Sequence, residues 1–244
     1  MTMRVYIEGV GLIAPGLNGW EASQPVLRGE IDYVEGPMPK LVAAQAIPDQ
    51  FDAADIATVF ASSGGEVEVI DRIFTELATP ERQISPTLFH NSVHNAASGY
   101  WSIATGSRKP SMSLSAFDDT FGLGLLEAAL QASLEDLPVL LVCYDFPPLA
   151  PIWRHRPLTT PFGVALLMSS KPVLKPSAVL GIDYISTVDG AATRAESPAL
   201  ESMRLGNPAA RSLPLLMSLA GRQSTDIVLE LGDRRSLCLG LVCQ

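Results

Sequence analysis

One stretch constrains the fold of this chain more than any other. Ser111 to Phe117 alternates small polar with apolar residues, the pattern of a half-buried strand. Asp118-Asp119-Thr120 follows as a helix start, and Leu123, Leu126, Leu130 and Leu134 then recur at helical spacing. The stretch therefore reads as strand, sharp turn and helix. Helix N-termini stabilise thiolates and oxyanions, so an enzyme sets a cysteine or serine at such an elbow. Here Asp118 fills the position. The setting suits acyl transfer and lacks the group that would perform it.

The flanking sequence alternates strands and helices. Val5–Ile13 and Ala57–Ala61 read as strands, the second feeding Ser62-Ser-Gly-Gly65. Glu66–Leu77 reads as a helix with Val67, Ile70, Phe74 and Leu77 on one face. Asn95–Thr105 reads as a helix closed by Gly106. Pro138–Tyr144 is a continuous apolar run, the pattern of a buried strand in a mostly parallel sheet, and Val164–Ser169 is a further strand. Lys171–Pro176 is linker-like punctuation. Beyond it come a strand at Ala178–Ser186 and helical sequence from Glu196 to Arg222, broken at Gly206-Asn-Pro208. Ile227–Leu231 and Ser236–Val242 form a hairpin through Gly232-Asp233. Such alternation predicts a layered α/β fold.

Composition narrows the function classes. The 244 residues are 47% hydrophobic and 18% charged, enough for a sizeable core. The 17 basic and 26 acidic side chains leave a net charge of −9, which argues against nucleic acid or an anionic membrane as partner. Arg154-His155-Arg156 is a small basic cluster and reads as a solvated loop. No apolar run approaches the ~18 residues of a membrane helix, and no secretory signal is read at Val5–Ala14. A cytoplasmic protein without membrane insertion is expected. Cys143, Cys238 and Cys243 contain no CxxC pair, so neither a disulfide framework nor a zinc site is expected.

The elbow segment Ser115-Ala-Phe-Asp-Asp-Thr-Phe-Gly-Leu-Gly-Leu-Leu-Glu-Ala resembles the active-site elbow of β-ketoacyl-ACP synthases, with Asp118 where that family has its nucleophilic Cys. Met3–Gly16 is similar to the family's opening strand and glycine-rich turn. Trp20–Gly29 is similar to its first helix, Phe89–Gly106 to the helix before the nucleophile strand, and Pro161–Met168 to the strand closing its N-terminal half. The resemblance implies a thiolase-like α/β/α sandwich. Residues 1–170 would form the ketosynthase-like N-terminal half, and 177–244 an abbreviated second half packed on the same core.

That family condenses acyl and malonyl units with a Cys and two His of the second half. This chain has only His90, His94 and His155, none beyond residue 171. The resemblance therefore implies a non-catalytic subunit, comparable to the chain-length factors of type II polyketide systems and the small ketosynthase-like subunits of aryl polyene pathways. Its partner would be an active ketosynthase, in a heterodimer, with a homodimer possible when the chain is alone. Acyl carrier proteins are acidic like this chain, so carrier contact would come through the partner. In ketosynthases the strand before the nucleophile pairs with its counterpart across the dimer. The corresponding contacts here are Met112, Leu114 and Phe117 from strand 111–117, with Tyr100 and Trp101 as aromatic anchors. Leu114→Pro would break that pairing if Leu114 bonds across the interface.

Other readings stay in view. Asp118 and Asp119 could form an acid/base pair for a residual decarboxylase or hydrolase, but N-capping is the simpler reading. A self-associating scaffold is a third. Phe117 either fills acyl space or packs in the core. His90 and His94 are four apart, with no third metal ligand evident. Ser62–Gly65 matches neither GxxxxGK[ST] nor GxGxxG, and no GxSxG is present. No cofactor or metal is expected.

Overall fold

The computed structural model describes residues 3–39, 43–150, 152–185, 191–232 and 235–244. A long strand β1 (Met3–Ala14) leads to the short β2 (Leu17–Asn18) and helix α1 (Trp20–Leu27). Strand β3 (Ala57–Ala61) leads to α2 (Val67–Leu77), α3 (Pro86–Asn91) and α4 (Ala96–Thr105). Then come β4 (Ser111–Leu114), α5 (Thr120–Glu135), β5 (Val139–Asp145) and β6 (Phe162–Ser169). The chain closes with β7 (Ala178–Ile185), α6 (Pro198–Gly206), α7 (Leu213–Ala220), β8 (Thr225–Leu231) and β9 (Arg235–Cys243). Asp233, Arg234 and Ser186 of the expected hairpin turn and strand lie outside the described residues.

Among the described residues nine strands join one sheet, in the order β4-β3-β5-β6-β1-β7-β9-β8, with β2 beside β1. The mostly parallel sheet expected around β5 is not found. Only β3–β4 and β3–β5 run parallel; β5 meets β6 antiparallel, as do the remaining pairs. A strand buried on both faces looks the same in sequence whichever way its neighbour runs.

The main core lies on one face of the sheet, under α1, α5, α6 and α7, and takes residues from β1 to β9. A smaller core on the other face joins Phe60, Leu140, Val142 and Leu167 to Trp101 of α4. Among the described residues β7, β8 and β9 contribute to the first core alone, and the second core lies over the β3–β5–β6 side. Gly9, at the bulge in β1, is required by space: a Cβ there would run into the Ala46 carbonyl. The linker-like stretch after β6 is tied down. The buried Glu8 carboxylate accepts from Ser169 Oγ at 2.7 Å, Val173 N at 2.9 Å and Leu174 N at 3.3 Å.

Two amphipathic readings are corrected. On α5 the leucine series turns outward along the helix: Leu123 and Leu126 are half-buried against the core and Leu130 and Leu134 are exposed, while Phe121, Gly124, Leu125, Ala128, Ala129 and Ala132 are buried. Small residues let the helix come close to the sheet; a Cβ on Gly124 would lie 2.9 Å from that of Ala61. On α2 only Ile73 is buried, and Phe74 is 62% exposed.

Candidate functional site

The elbow is built on a shorter strand than expected. β4 ends at Leu114, and Phe117–Asp119 form a single 3₁₀ turn into α5. Thr120, fully buried, closes that turn from inside. Its Oγ1 accepts from Ala116 N at 3.1 Å and donates to Phe117 O at 2.7 Å. Ser115 Oγ donates to Ser63 O at 3.1 Å and fastens the elbow to the turn after β3.

Phe117, not Asp118, carries the strained backbone. Its φ is +54°, a left-handed conformation that costs a side-chain-bearing residue ~1–2 kcal/mol. A strand-to-helix nucleophile elbow places its reactive residue in such a strained turn. The Phe117 ring is 62% exposed and lies 3.8 Å beneath the Arg156 guanidinium. Arg156 Nη1 also donates to Asp118 Oδ1 at 2.7 Å, and its Nη2 is buried without a partner among the described residues. Thus Arg156 does not stand in a solvated loop. It clamps the 146–161 segment onto the elbow, a contact invisible in sequence because 38 residues separate the pair.

N-capping by the two acids is not observed. No side chain caps α5. Asp118 is held by Arg156, and Asp119 accepts from Gly232 N at 3.0 and 2.9 Å through its two oxygens. Tertiary partners have displaced the local one. Each carboxylate is thus held by a partner distant in sequence.

The expected interface residues divide. β4 is an edge strand. Pro110 O and Leu114 O accept from Thr58 N and Ser62 N of the β3 side. By strand alternation the backbone of Ser111 and Ser113 points to the open edge, and that of Leu114 to β3. Leu114 is half-buried against the main core, whereas Met112 and Tyr100 are exposed. Trp101 turns inward, 6.4 Å from Phe60. Between α4 and β4 lies a groove of about 380 Å³ lined by Asn95, Ser98, Gly99, Ser102, Ser111 and Ser113. A second cavity, about 510 Å³, sits at the opposite end of the sheet between α1, α7 and β8, away from the elbow.

A buried network that sequence reading missed supports the site. Asp145, 2% exposed at the end of β5, gathers the turn after β3. Its Oδ1 accepts from Ser62 Oγ at 3.1 Å, Ser63 N at 2.8 Å, Ser63 Oγ at 2.9 Å and Gly64 N at 3.2 Å. Its Oδ2 is buried without a partner among the described residues. Burial raises the Asp145 carboxyl above its ordinary value, against the lowering effect of those bonds. The neighbouring Cys143 thiol is pushed up by burial and by Asp145, which leaves it an unreactive core group.

The histidines do not form a metal pair. α3 contains His90, while His94 lies beyond its end. His94 Nε2 donates to Ser62 O at 3.0 Å; His90 meets Tyr100 edge-on at 6.4 Å. Among the described residues no group of His, Cys, Asp and Glu could hold a metal ion.

Comparison with known proteins fits this geometry. The family "Beta-ketoacyl synthase, N-terminal domain" matches residues 36–218. Among solved structures, the ketosynthase in complex with its chain length factor from Xenorhabdus doucetiae is 22% identical with a TM-score of 0.68, covering 98% of this chain and 99% of the other. The ishigamide ketosynthase/chain length factor gives 12% identity and a TM-score of 0.73, covering 98% and 99%. A type II PKS acyl-carrier protein in complex with its ketosynthase gives 11% and 0.70, covering 100% of both chains. These likenesses establish the thiolase-like ketosynthase fold. Among curated proteins none matches.

Proposed function

We propose that this chain, which belongs to the beta-ketoacyl synthase N-terminal domain family, is a non-catalytic ketosynthase-like subunit that pairs with an active ketosynthase in polyketide or fatty-acid-type synthesis. One observation carries the reading. The elbow keeps its strand, strained turn and helix, yet positions 117–119 hold Phe, Asp and Asp, with both acids tied to structural partners. None of these three residues can form a thioester by acyl exchange. The sequence also has no histidine after His155 to assist decarboxylation.

The pairing surface is the β4 edge, with the backbone of Ser111 and Ser113 offered to a strand of the partner. Met112 and Tyr100 flank it. Structures similar in fold include complexes of ketosynthases with chain length factors, one of them with an acyl-carrier protein; this supports an active ketosynthase as partner and carrier contact through it. An obligate interface of this type buries more than ~2,000 Å².

Co-expression with the cognate ketosynthase should yield a stable heterodimer. The isolated chain should show no acyl adduct by mass spectrometry after incubation with acyl-carrier thioesters. Asp118→Cys and Phe117→Cys, made separately because the strain sits at Phe117, should each fail to condense malonyl units. Separate monomers on co-expression would defeat the reading, as would a stable acyl adduct on the native chain.

A further inference from the structure

We propose that the α2–α3 hairpin is an arm that docks on the partner ketosynthase, adding a second contact to the β4 edge. The inference rests on the pairing proposed above. Sequence periodicity reads α2 as a core helix, yet only Ile73 of its eleven residues is buried, and α3 buries none. Phe74 is 62% and Phe89 67% exposed, and Leu77 and Val93 are exposed beside them. A helix pair with its large apolar side chains in solvent is the surface expected of an interaction site.

The arm is fixed at its base. Tyr144 Oη donates to Glu66 Oε1 at 3.4 Å, and His94 Nε2 donates to Ser62 O at 3.0 Å where the chain returns. Tyr100 Oη donates to Asn91 Oδ1 at 2.7 Å, which ties α3 to α4. An ordered arm loses little freedom on docking.

The occupant follows from continuity and charge. From Phe89 and Val93 the exposed apolar surface is carried to α4 through the His90–Tyr100 ring contact at 6.4 Å, where Tyr100 and Ile103 are exposed, and α4 lies against the edge strand through Ser98 Oγ and Ser113 Oγ at 3.1 Å. Whatever strand pairs with β4 brings its own chain against this surface. Around Phe74 and Leu77, the acids Glu68, Asp71, Glu76 and Glu81 outnumber Arg72 and Arg82. This flank repels an anionic membrane, and an isologous homodimer built on β4 would bring it to the same interface from both sides. It fits an unlike chain with an apolar groove rimmed by Lys or Arg.

The test is hydrogen exchange and affinity on the co-expressed heterodimer. Amides of residues 67–91 should exchange at least ~10-fold more slowly in the complex than in the free chain. The double variant Phe74→Asp/Phe89→Asp should weaken the complex by ~100-fold or more, with the melting temperature of the isolated chain unchanged. Protection of 111–114 without protection of 67–91, or wild-type affinity in the double variant, overturns the arm and leaves the pairing standing. Absence of any complex defeats both. Co-sedimentation with phosphatidylglycerol vesicles, abolished by the double variant while the heterodimer is unaffected, overturns the arm in favour of a membrane.

Discussion

Two strand–turn–helix units stand side by side in the sheet, β3 into α2 and β4 into α5. Their strands are parallel neighbours. In both helices the later members of the series chosen by periodicity point outward, Leu130 and Leu134 on α5 and Phe74 and Leu77 on α2. The difference lies in the opposite face. α5 backs that series with Gly, Ala, Phe121 and Leu125 and so sinks into the core, whereas α2 has only Ile73 to bury. Apolar spacing reports that a face will be buried. It does not say whether the burying surface belongs to the same chain.

The turns differ as well. The β3 turn is gathered by a buried carboxylate, Asp145, and the β4 elbow by a partly exposed cation, Arg156.

Substitution of matched phenylalanines should give the largest contrast. Phe121→Ala should lose ~3–5 kcal/mol in urea unfolding, while Phe74→Ala on the isolated chain should change stability by less than ~0.5 kcal/mol. A large loss at Phe74 would show that α2 is part of the core after all.

The clamp at the β3 turn should respond to pH. The Asp145 carboxyl is raised by burial, so it favours the folded state below the unfolded carboxylate value. That contribution is lost as pH rises through the folded value. Asp145→Asn should therefore flatten the dependence of melting temperature on pH above about pH 4, whereas wild type loses stability with rising pH from this group. An unchanged profile would remove Asp145 as a titrating clamp.

At the elbow the effects are smaller. Arg156→Ala should cost about 1 kcal/mol, because the Asp118 pair is half exposed and the stacking on Phe117 adds ~0.5–1 kcal/mol. The loss should be insensitive to Asp118→Ala only if stacking dominates, which a double-mutant cycle resolves. Phe117→Gly should lie within about 1 kcal/mol of wild type, since relief of the left-handed backbone offsets the lost stacking. Phe117→Val, with a β-branched side chain at the same φ, should be clearly worse than Gly.

What was legible in the sequence was local. The Gly106 stop, whose φ is +69°, follows from backbone preference, and the first helix, found at Trp20–Leu27, was expected over Trp20–Gly29 from the family resemblance. The edge position of β4 followed from the family resemblance, and its small polar residues were compatible with it. What was illegible depends on distant partners. Asp118 and Asp119 look like caps until Arg156 and Gly232 arrive. Trp101 looks like an anchor until Phe60 lies beneath it. Asp145 looks like the polar end of a strand, and its four donors come from residues about eighty positions earlier. The direction of β6 against β5 leaves no trace in an apolar run.

The shortness of β4 has a consequence for selectivity. An edge of four residues presents outward the backbone of only Ser111 and Ser113. So few main-chain bonds, each contributing about 1 kcal/mol, cannot hold an arbitrary exposed strand. A stray β-segment would therefore find little purchase, and discrimination among candidate chains falls to shape and side chains. In this sense a stunted edge acts as a filter: it tolerates an open sheet in a crowded cell while admitting only a chain that matches its surroundings.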